Sequence, residues 1–432
     1  MEETNNQQKE EYEIIRERIK TRPINRKKLF RRTVITAAMA VIFGVLACIT
    51  FLVLEPIFSN LLTPEEEPSP EVVEIPLDKE EVLPQDMILE DEEPVTQTQI
   101  IVHETGEKTT ALEDYNSLYN ELSDLYRTAK RSVVTVTGVN QDVDWFNNSY
   151  ESKGTTSGLI VANNGIEQLI LTDNAAIAGS ENIKITYYND ITVEGTVKET
   201  DKNTGLAVVA IQNRDLPDVL LDEAIIANLG NSRTNRLLAS PVIAIGHPLG
   251  NVDSVEYGMV TSKNNVINKI DNNYELLTTD MPGNSNSNGV VFNLSGEVIG
   301  LIYQKGNAGD ASTISLLGIS DIKKSIERMS NGNPRAYLGV IGTDVTLEAV
   351  DKGVPIGAYV TGIDMDSPAM TAGIQSGDVV VSIDEYEITT YAVLTEAILA
   401  HQPGEEANIR VKRMNGEEYS EVTIAVQLGE LR

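Results

Sequence analysis

The most apolar part of the chain lies near its N-terminus. Residues 33–54, TVITAAMAVIFGVLACITFLVL, contain no charged side chain and follow the basic run KTRPINRKKLFRR. About 20 apolar residues in a helix cross the roughly 30 Å hydrocarbon layer of a membrane. Because no small-residue cleavage site follows, we interpret this segment as a retained signal anchor in the cell membrane. The basic flank predicts that residues 1–32 are cytoplasmic and that the C-terminal domains are extracytoplasmic.

The next segment is polar and acidic. Residues 55–110 combine many carboxylates with recurrent proline. Such a composition does not bury enough apolar surface to offset the entropy lost on ordering. We therefore predict an extended, disordered linker between the anchor and the folded domains.

Residues 111–131 then show helical periodicity. Apolar side chains recur at three- and four-residue steps: Leu112, Tyr115, Leu118, Leu122 and Leu125. This spacing predicts an amphipathic helix. A short coiled coil and packing against the following domain are both compatible with it, and we favour packing because three heptads are marginally stable.

From residue 132 to residue 330 the pattern changes to short strands. Runs such as SVVTVTGV, SGLIVA, LAVVAI and EVIGLIY are separated by Asn, Gly and Asp turns, which predicts an all-β barrel or sandwich. DIKKSIERMSNG, beginning at Asp321, predicts a closing helix with a glycine stop. Residues 334–428 predict a second, smaller β domain with one helix, YAVLTEAILA, over its edge.

Charge and residue usage narrow the partners. The formal net charge of −31 repels nucleic acid, so we expect no nucleic-acid partner and look to peptides or proteins instead. The single cysteine, Cys48, excludes an intramolecular disulfide. The three histidines are too scattered to suggest a metal site, and we expect no metal and no other cofactor.

Several separated motifs together carry a family resemblance. They are TSGLIVANNG with LILTDNAAI, TDKNTGLAVVAI, ASPVIAIGHPLG, GNSNSNGVVFNLSGEVIG, and RAYLGV with GAYVTGIDMDSPAMTAGIQSGDVVVSID. In order and spacing they resemble the membrane-anchored HtrA (DegP-like) serine proteases over about residues 132–428. The resemblance implies a mainly β fold. A chymotrypsin-like double β-barrel with a Ser-His-Asp triad, residues 132–330, would precede a PDZ domain, residues 334–428.

The register of this resemblance assigns the catalytic positions. Ala175 stands at the histidine position, Gly205 at the aspartate position and Ser287 at the nucleophile position. Ser285 is a second candidate for the nucleophile, but it is out of register. It occupies the place of an oxyanion-hole glycine, and Asn288 replaces the glycine that follows the nucleophile. A serine without a general base is a weak nucleophile. We therefore predict a pseudoprotease, with a serine endopeptidase that uses Ser287 and a non-standard base as the alternative.

Three other polar residues are weaker candidates for a replacement of the missing base. His247 lies in AIGHPLG, where the family has asparagine or serine, and we interpret it as filling a turn rather than as a relocated base. Asp173 and Asp201 supply no imidazole, and we interpret both as solvated strand-end or turn residues.

In the second domain the resemblance implies a peptide site. In PDZ domains a short loop offers successive backbone N–H groups to the terminal carboxylate of a peptide. Here that loop consists of Tyr337, Leu338, Gly339 and Val340. Its apolar side chains, with Leu394 or Val393 from the helix, are expected to line the pocket. The alternative is a PDZ fold that serves only packing or assembly.

Together these features predict a tethered binding module. It would act as a scaffold, sensor or chaperone that captures peptide C-termini or unfolded envelope proteins. Homo- or hetero-oligomers with HtrA relatives are a further hypothesis.

Overall fold

The computed structural model describes residues 26–62, 69–78, 111–143, 149–305, 312–416 and 418–431. The chain divides into two units, Met1–Ser69 and Pro70–Arg432. In the first unit, helix α1 spans Arg26–Leu62. Its section Phe30–Phe51 is long and apolar enough to cross a membrane and none of it is buried, which confirms the predicted apolar helix.

The second unit begins with a docked segment, residues 70–78, which corrects the predicted linker. Val73 and Ile75 are buried, and the Val73 backbone exchanges two hydrogen bonds of 2.9 Å with the Asn331 side chain. The prediction of disorder is wrong here because EVVEIPL carries enough alternating apolar residues to pack locally, although the surrounding composition is acidic. Residues 55–62 belong to α1, and residues 79–110 lie outside the described part of the chain.

Helix α2 spans Ala111–Ala129 and confirms the predicted amphipathic helix. Leu125 and Tyr126 near its C-terminal end pack against the core of the following domain. The Tyr257 hydroxyl of that domain donates to the Leu122 carbonyl at 3.3 Å. Leu112 and Leu118, nearer the N-terminal end, are exposed. Packing against the domain therefore involves only the last turns of the helix.

A first closed barrel follows, with strand order β1-β2-β3-β6-β5-β4. Its strands are β1 Val133–Val143, β2 Ser149–Asn163, β3 Glu167–Asp173, β4 Asn182–Thr186, β5 Thr192–Asp201 and β6 Leu206–Gln212. Val208 and Val209 in β6 belong to two different core clusters. This strand is thus buried on both faces, which explains its continuous apolar run.

The second barrel begins after the short helix α3, Asp218–Glu223. Its strands are β7 Asn228–Leu229, β8 Pro241–His247, β9 Ser254–Lys269, β10 Asn272–Pro282, β11 Asn288–Asn293, β12 Glu297–Ile302 and β13 Thr313–Gly318. Pairing of β11 with β12 closes six of them, and β7 adds in parallel to β12. Helix α4, Ile319–Ser330, is the predicted closing helix, and its Ile322 and Ile326 fill the core between the barrels.

A smaller β domain with its own core completes the unit. Its strands are β14 Ala336–Tyr337, β15 Val340–Asp344, β16 Ala358–Ile363, β17 Val379–Ile383, β18 Tyr386–Glu387, β19 Glu406–Asn415, β20 Glu418–Gln427 and β21 Gly429–Glu430. Its helices are α5 Leu347–Asp351, α6 Pro368–Ala372 and α7 Tyr391–Leu399. The main sheet runs β15-β16-β17-β19-β20, so β15 is an edge strand. Helix α7 contacts this edge.

Candidate active-site cleft and peptide groove

The two barrels enclose a cleft of about 490 Å³ that collects the predicted catalytic positions. Ala175, Ser285 and Ser287 all line it, and His247 lines it as well. Gly205 lies between two further lining residues, Thr204 and Leu206. The register taken from sequence therefore brings the expected positions to one place.

The hydroxyl of Ser287 closes a local turn. Its Oγ accepts the backbone N–H of Asn284 at 2.8 Å, and its own N–H donates to the Asn284 carbonyl at 3.0 Å. The side chain is buried, with 6% of its residue surface exposed. Within the described ranges, the two imidazoles bond elsewhere, His247 to Ser157 and His401 to Asp384 and Ala397. Ser287 thus has a structural hydrogen bond and no hydrogen-bonded base.

A lysine ion pair lies beside the other two triad positions. Ala175 sits in a turn of 3₁₀ helix, and its N–H donates to Asp173 Oδ1 at 2.8 Å. Lys305 Nζ lies 2.8 Å from Asp173 Oδ2 and 3.6 Å from where a Cβ would stand on Gly205. Asp173, interpreted from sequence as a solvated strand end, is therefore partly buried in an ion pair. No sequence motif signalled Lys305.

Gly205 also has a backbone that suits glycine. Its φ is +73°, a left-handed conformation that costs other L-residues roughly 1–2 kcal/mol. Its carbonyl accepts the Asn174 N–H at 2.8 Å. An aspartate at this position would have to adopt the same left-handed backbone conformation. Its side chain would lie beside the Lys305 ammonium.

His247 ends strand β8 and is held by another serine. Its Nδ1 lies 2.7 Å from Ser157 Oγ, and Ser157 Oγ also lies 2.9 Å from Asn288 Oδ1. Burial lowers the pKa of His247, against a smaller opposing effect of Asp253, so the ring is neutral at pH 7. His247 also begins the turn that follows β8, because its carbonyl accepts the Gly250 N–H at 2.9 Å. The structure therefore agrees with the predicted turn position and adds that the ring is buried beside Ser157.

Ser285 and Asn288 stand where the family has the glycines of the oxyanion hole. Ser285 is exposed, and the Asn288 side chain bridges the barrels by accepting the Ser157 N–H at 2.8 Å. Neither residue has a positive φ, whereas Gly289 has φ +144°. The side-chain amide of Asn288 thus stabilises the wall of the cleft.

The predicted carboxylate loop of the smaller domain has the expected backbone form. Gly339 has φ +93°, and a Cβ there would stand 2.2 Å from Ser367 Cβ, so only glycine fits. The Tyr337 hydroxyl donates to Asp364. Leu338, Val340 and Leu394 are fully buried in the domain core. The backbone of Leu338 and Val340 also contacts a residue from the second barrel, Asp271.

Asp271 occupies this loop with its side-chain carboxylate. The backbone N–H of Leu338 donates to Oδ2 at 2.7 Å and that of Val340 to Oδ1 at 2.8 Å. The N–H of Gly339 lies 2.9 and 3.0 Å from the two oxygens. Burial raises the pKa of Asp271, against the effect of these N–H donors and of Arg335. This contact is not visible in the sequence, because KIDNNYE carries only the signal of a hairpin turn.

A buried arginine lies behind the same turn. Arg335 Nη1 is 3.5 Å from Asp201 Oδ2 and 3.4 Å from the Tyr274 hydroxyl, and Nη2 is 3.4 Å from the Asp271 carbonyl. The side chains of Arg335 and Asp201 are 1% and 0% exposed. The interpretation of Asp201 as solvated is therefore wrong, because an arginine about 130 residues later in the chain covers and pairs with it.

Comparisons with known proteins agree with this architecture. Residues 156–301 match the trypsin-like peptidase domain and residues 336–426 match the PDZ domain. A protein of Hahella chejuensis described as a probable periplasmic serine endoprotease, DegP-like, is 31% identical over 290 residues, which cover 65% of this chain and 58% of the relative. The chain thus spans less than two thirds of the length of such curated relatives.

Two solved structures share the fold. The HtrA-type protease AlgW with a decapeptide is 21% identical, with a TM-score of 0.51 over 71% of this chain and 98% of that chain. AlgW with a tripeptide is 22% identical, with a TM-score of 0.52 over 71% of this chain and 96% of that chain. The predicted fold class, a chymotrypsin-like double barrel followed by a PDZ domain, is confirmed.

Proposed function

We propose that the chain is an HtrA-type, DegP-like pseudoprotease that binds peptides without cleaving them. The proposal starts from the trypsin-like peptidase domain joined to a PDZ domain and from the similarity to DegP-like proteins. It acts in the cell envelope, anchored by α1 with its N-terminus in the cytoplasm. Its ligands are peptide C-termini or unfolded envelope proteins.

One observation supports the proposal that catalysis has been lost. Ser287 Oγ accepts a backbone N–H at 2.8 Å, and Ala175 and Gly205 supply neither an imidazole nor a carboxylate beside it. Proton transfer from the attacking hydroxyl then has no acceptor. Removing the base of a comparable triad costs about 10⁶-fold in turnover.

The binding role rests on the PDZ domain. Its loop, residues 337–340, presents three successive N–H groups that converge on one carboxylate, as the contacts to Asp271 demonstrate. A terminal carboxylate has the same two-oxygen geometry. The relative AlgW is described with bound peptides, and the curated relatives are described as periplasmic. Both facts favour a peptide-binding protein of the envelope.

The test is chemical labelling of the full chain in detergent micelles. A fluorophosphonate probe should not label Ser287, and casein should not be cleaved above background, because both reactions need an activated hydroxyl. Ser287→Ala is the matched control for the label. Labelling of the wild type that is lost in this variant would refute the pseudoprotease.

The alternative, a serine endopeptidase with a non-standard base, has one supporting observation. His247 lines the same cleft as Ser287, and burial lowers the pKa of its ring, which favours the neutral form that a base needs. If the wild type is labelled at Ser287, His247→Gln identifies the base: the labelling rate falls if His247 serves, and stays unchanged if it remains bonded to Ser157.

A further inference from the structure

The β9–β10 turn, residues 270–271, meets the PDZ groove in the way a peptide end would. The Asp271 carboxylate receives the N–H groups of Leu338, Gly339 and Val340. The Asp271 backbone N–H donates to the Val340 carbonyl at 2.7 Å. In peptide recognition by strand addition, the last residue makes both kinds of contact: carboxylate to loop and main chain to edge strand.

The contact continues along the edge strand. The Asn273 side-chain amide donates to the Gly342 carbonyl at 3.1 Å, two residues beyond Val340 on β15. Strands β9 and β10 contact β15 and α7 respectively, the two elements that flank the groove. The turn therefore covers the carboxylate loop and the start of the strand that a peptide would pair with.

Burial distinguishes this turn from the other tight turns of the chain. Asp271 has φ +56°, a conformation that aspartate adopts more readily than most residues, and the exposed Asp190 has a similar φ of +64°. Only 1% of the surface of Asp271 is exposed, however, because its side chain lies against the three N–H donors of the loop.

From these contacts we propose that the β9–β10 turn is an internal ligand of the PDZ groove, and that a terminal carboxylate binds only after Asp271 has left the loop. This inference rests on the proposed peptide-binding function. All three loop N–H groups donate to Asp271, so an incoming carboxylate has no donor until they are released. The measured affinity for a peptide is then reduced by the fraction of molecules in which the turn is displaced.

The test compares Asp271→Ala with the wild-type full chain in detergent micelles. The probes are one fluorescent peptide with an apolar last residue, as free acid and as amide. Asp190→Ala is the matched control, because Asp190 lies in the β4–β5 turn with φ +64° and is exposed. Both variants place alanine at a left-handed position, and only one vacates the loop.

We expect Asp271→Ala to bind the free acid at least about tenfold more tightly than the wild type, with the amide unchanged. Amide hydrogen exchange at residues 338–340 should accelerate in the ligand-free variant, because these N–H groups lose their acceptor. Asp190→Ala should match the wild type in both measurements.

Two outcomes would overturn the proposal and can be told apart. If the free acid binds wild type and Asp271→Ala equally, the turn does not compete, although peptide binding itself stands. If exchange accelerates but neither protein binds either peptide, the vacated loop does not accept a terminal carboxylate, and Asp271 serves only to join the domains. In that case the internal ligand and the proposed peptide-binding function both fail.

Discussion

Replacing the buried arginine between the domains tests how this interface is held together. Arg335→Met keeps a stem of similar length and removes the guanidinium. Asp201, whose side chain is fully buried, then loses its ion-pair partner and keeps only a weaker attraction to Arg328. The Asp271 carbonyl also loses a donor. Asp201 Oδ1 keeps one hydrogen bond, from the Asn203 N–H at 2.9 Å.

The magnitude follows from the burial of the charge that remains. Removing one member of a buried ion pair costs about 3–5 kcal/mol, because the other charge stays desolvated and unpaired. The long contacts of 3.4–3.5 Å make the attraction itself modest, but they do not reduce the cost of leaving Asp201 alone. Because Asn203 still donates to Asp201, we expect a loss of about 3 kcal/mol in the free energy of unfolding.

Urea unfolding followed by far-ultraviolet circular dichroism measures this loss. Lys352→Met is the control, since it removes an exposed ion pair with Glu348 and should change stability by no more than about 0.5 kcal/mol. Adding Asp201→Asn to Arg335→Met should recover part of the loss, because no charge is left unpaired. A loss below about 1 kcal/mol for Arg335→Met would refute the reasoning.

Three further predictions concern other parts of the chain. His401 Nδ1 lies 2.7 Å from the Ala397 carbonyl oxygen, and Nε2 lies 3.0 Å from Asp384 Oδ2. Burial opposes the charge of the ring, but these two acceptors favour the protonated form and raise the pKa of His401 above its ordinary value of about 6.5. Its contribution to stability is therefore complete below that value and is lost as pH rises through the higher folded pKa, so the excess stability of wild type over His401→Gln should fall as pH rises above about 6.5 in urea titrations. Gly339→Val should lower the free energy of unfolding by roughly 1–3 kcal/mol, because φ +93° and the contact with Ser367 both exclude a side chain; unchanged stability would mean that the loop rearranges. A protease added to intact, wall-stripped cells should remove the PDZ domain and leave the N-terminus protected, and immunoblots with the reverse pattern would overturn the proposed orientation.

Local patterns predicted the elements well because they depend on neighbouring residues. The strand runs of both barrels and the closing helix α4 follow from periodicity and turn residues within a few positions, whereas the PDZ loop followed from the family resemblance. The cleft positions followed from the family register. A single sequence carries no such signal for contacts between distant turns: Asp271 and the loop it fills are separated by 67 to 69 residues. The burial of Asp201 depends on Arg335, 134 residues away.

The docked segment has a consequence for the order in which the molecule folds. Val73 bonds to a residue 258 positions later and Ile75 to one 252 positions later, in α4 or just after it. Asp78 pairs with Lys323 in the same helix. During synthesis, residues 70–78 emerge long before α4 exists. The Glu71 N–H can meet its partner, the Asn164 carbonyl, in the first barrel, but the contacts with α4 form only once both barrels have been made. Contacts of such sequence separation form slowly, and this segment should therefore be among the last parts of the chain to reach its final place.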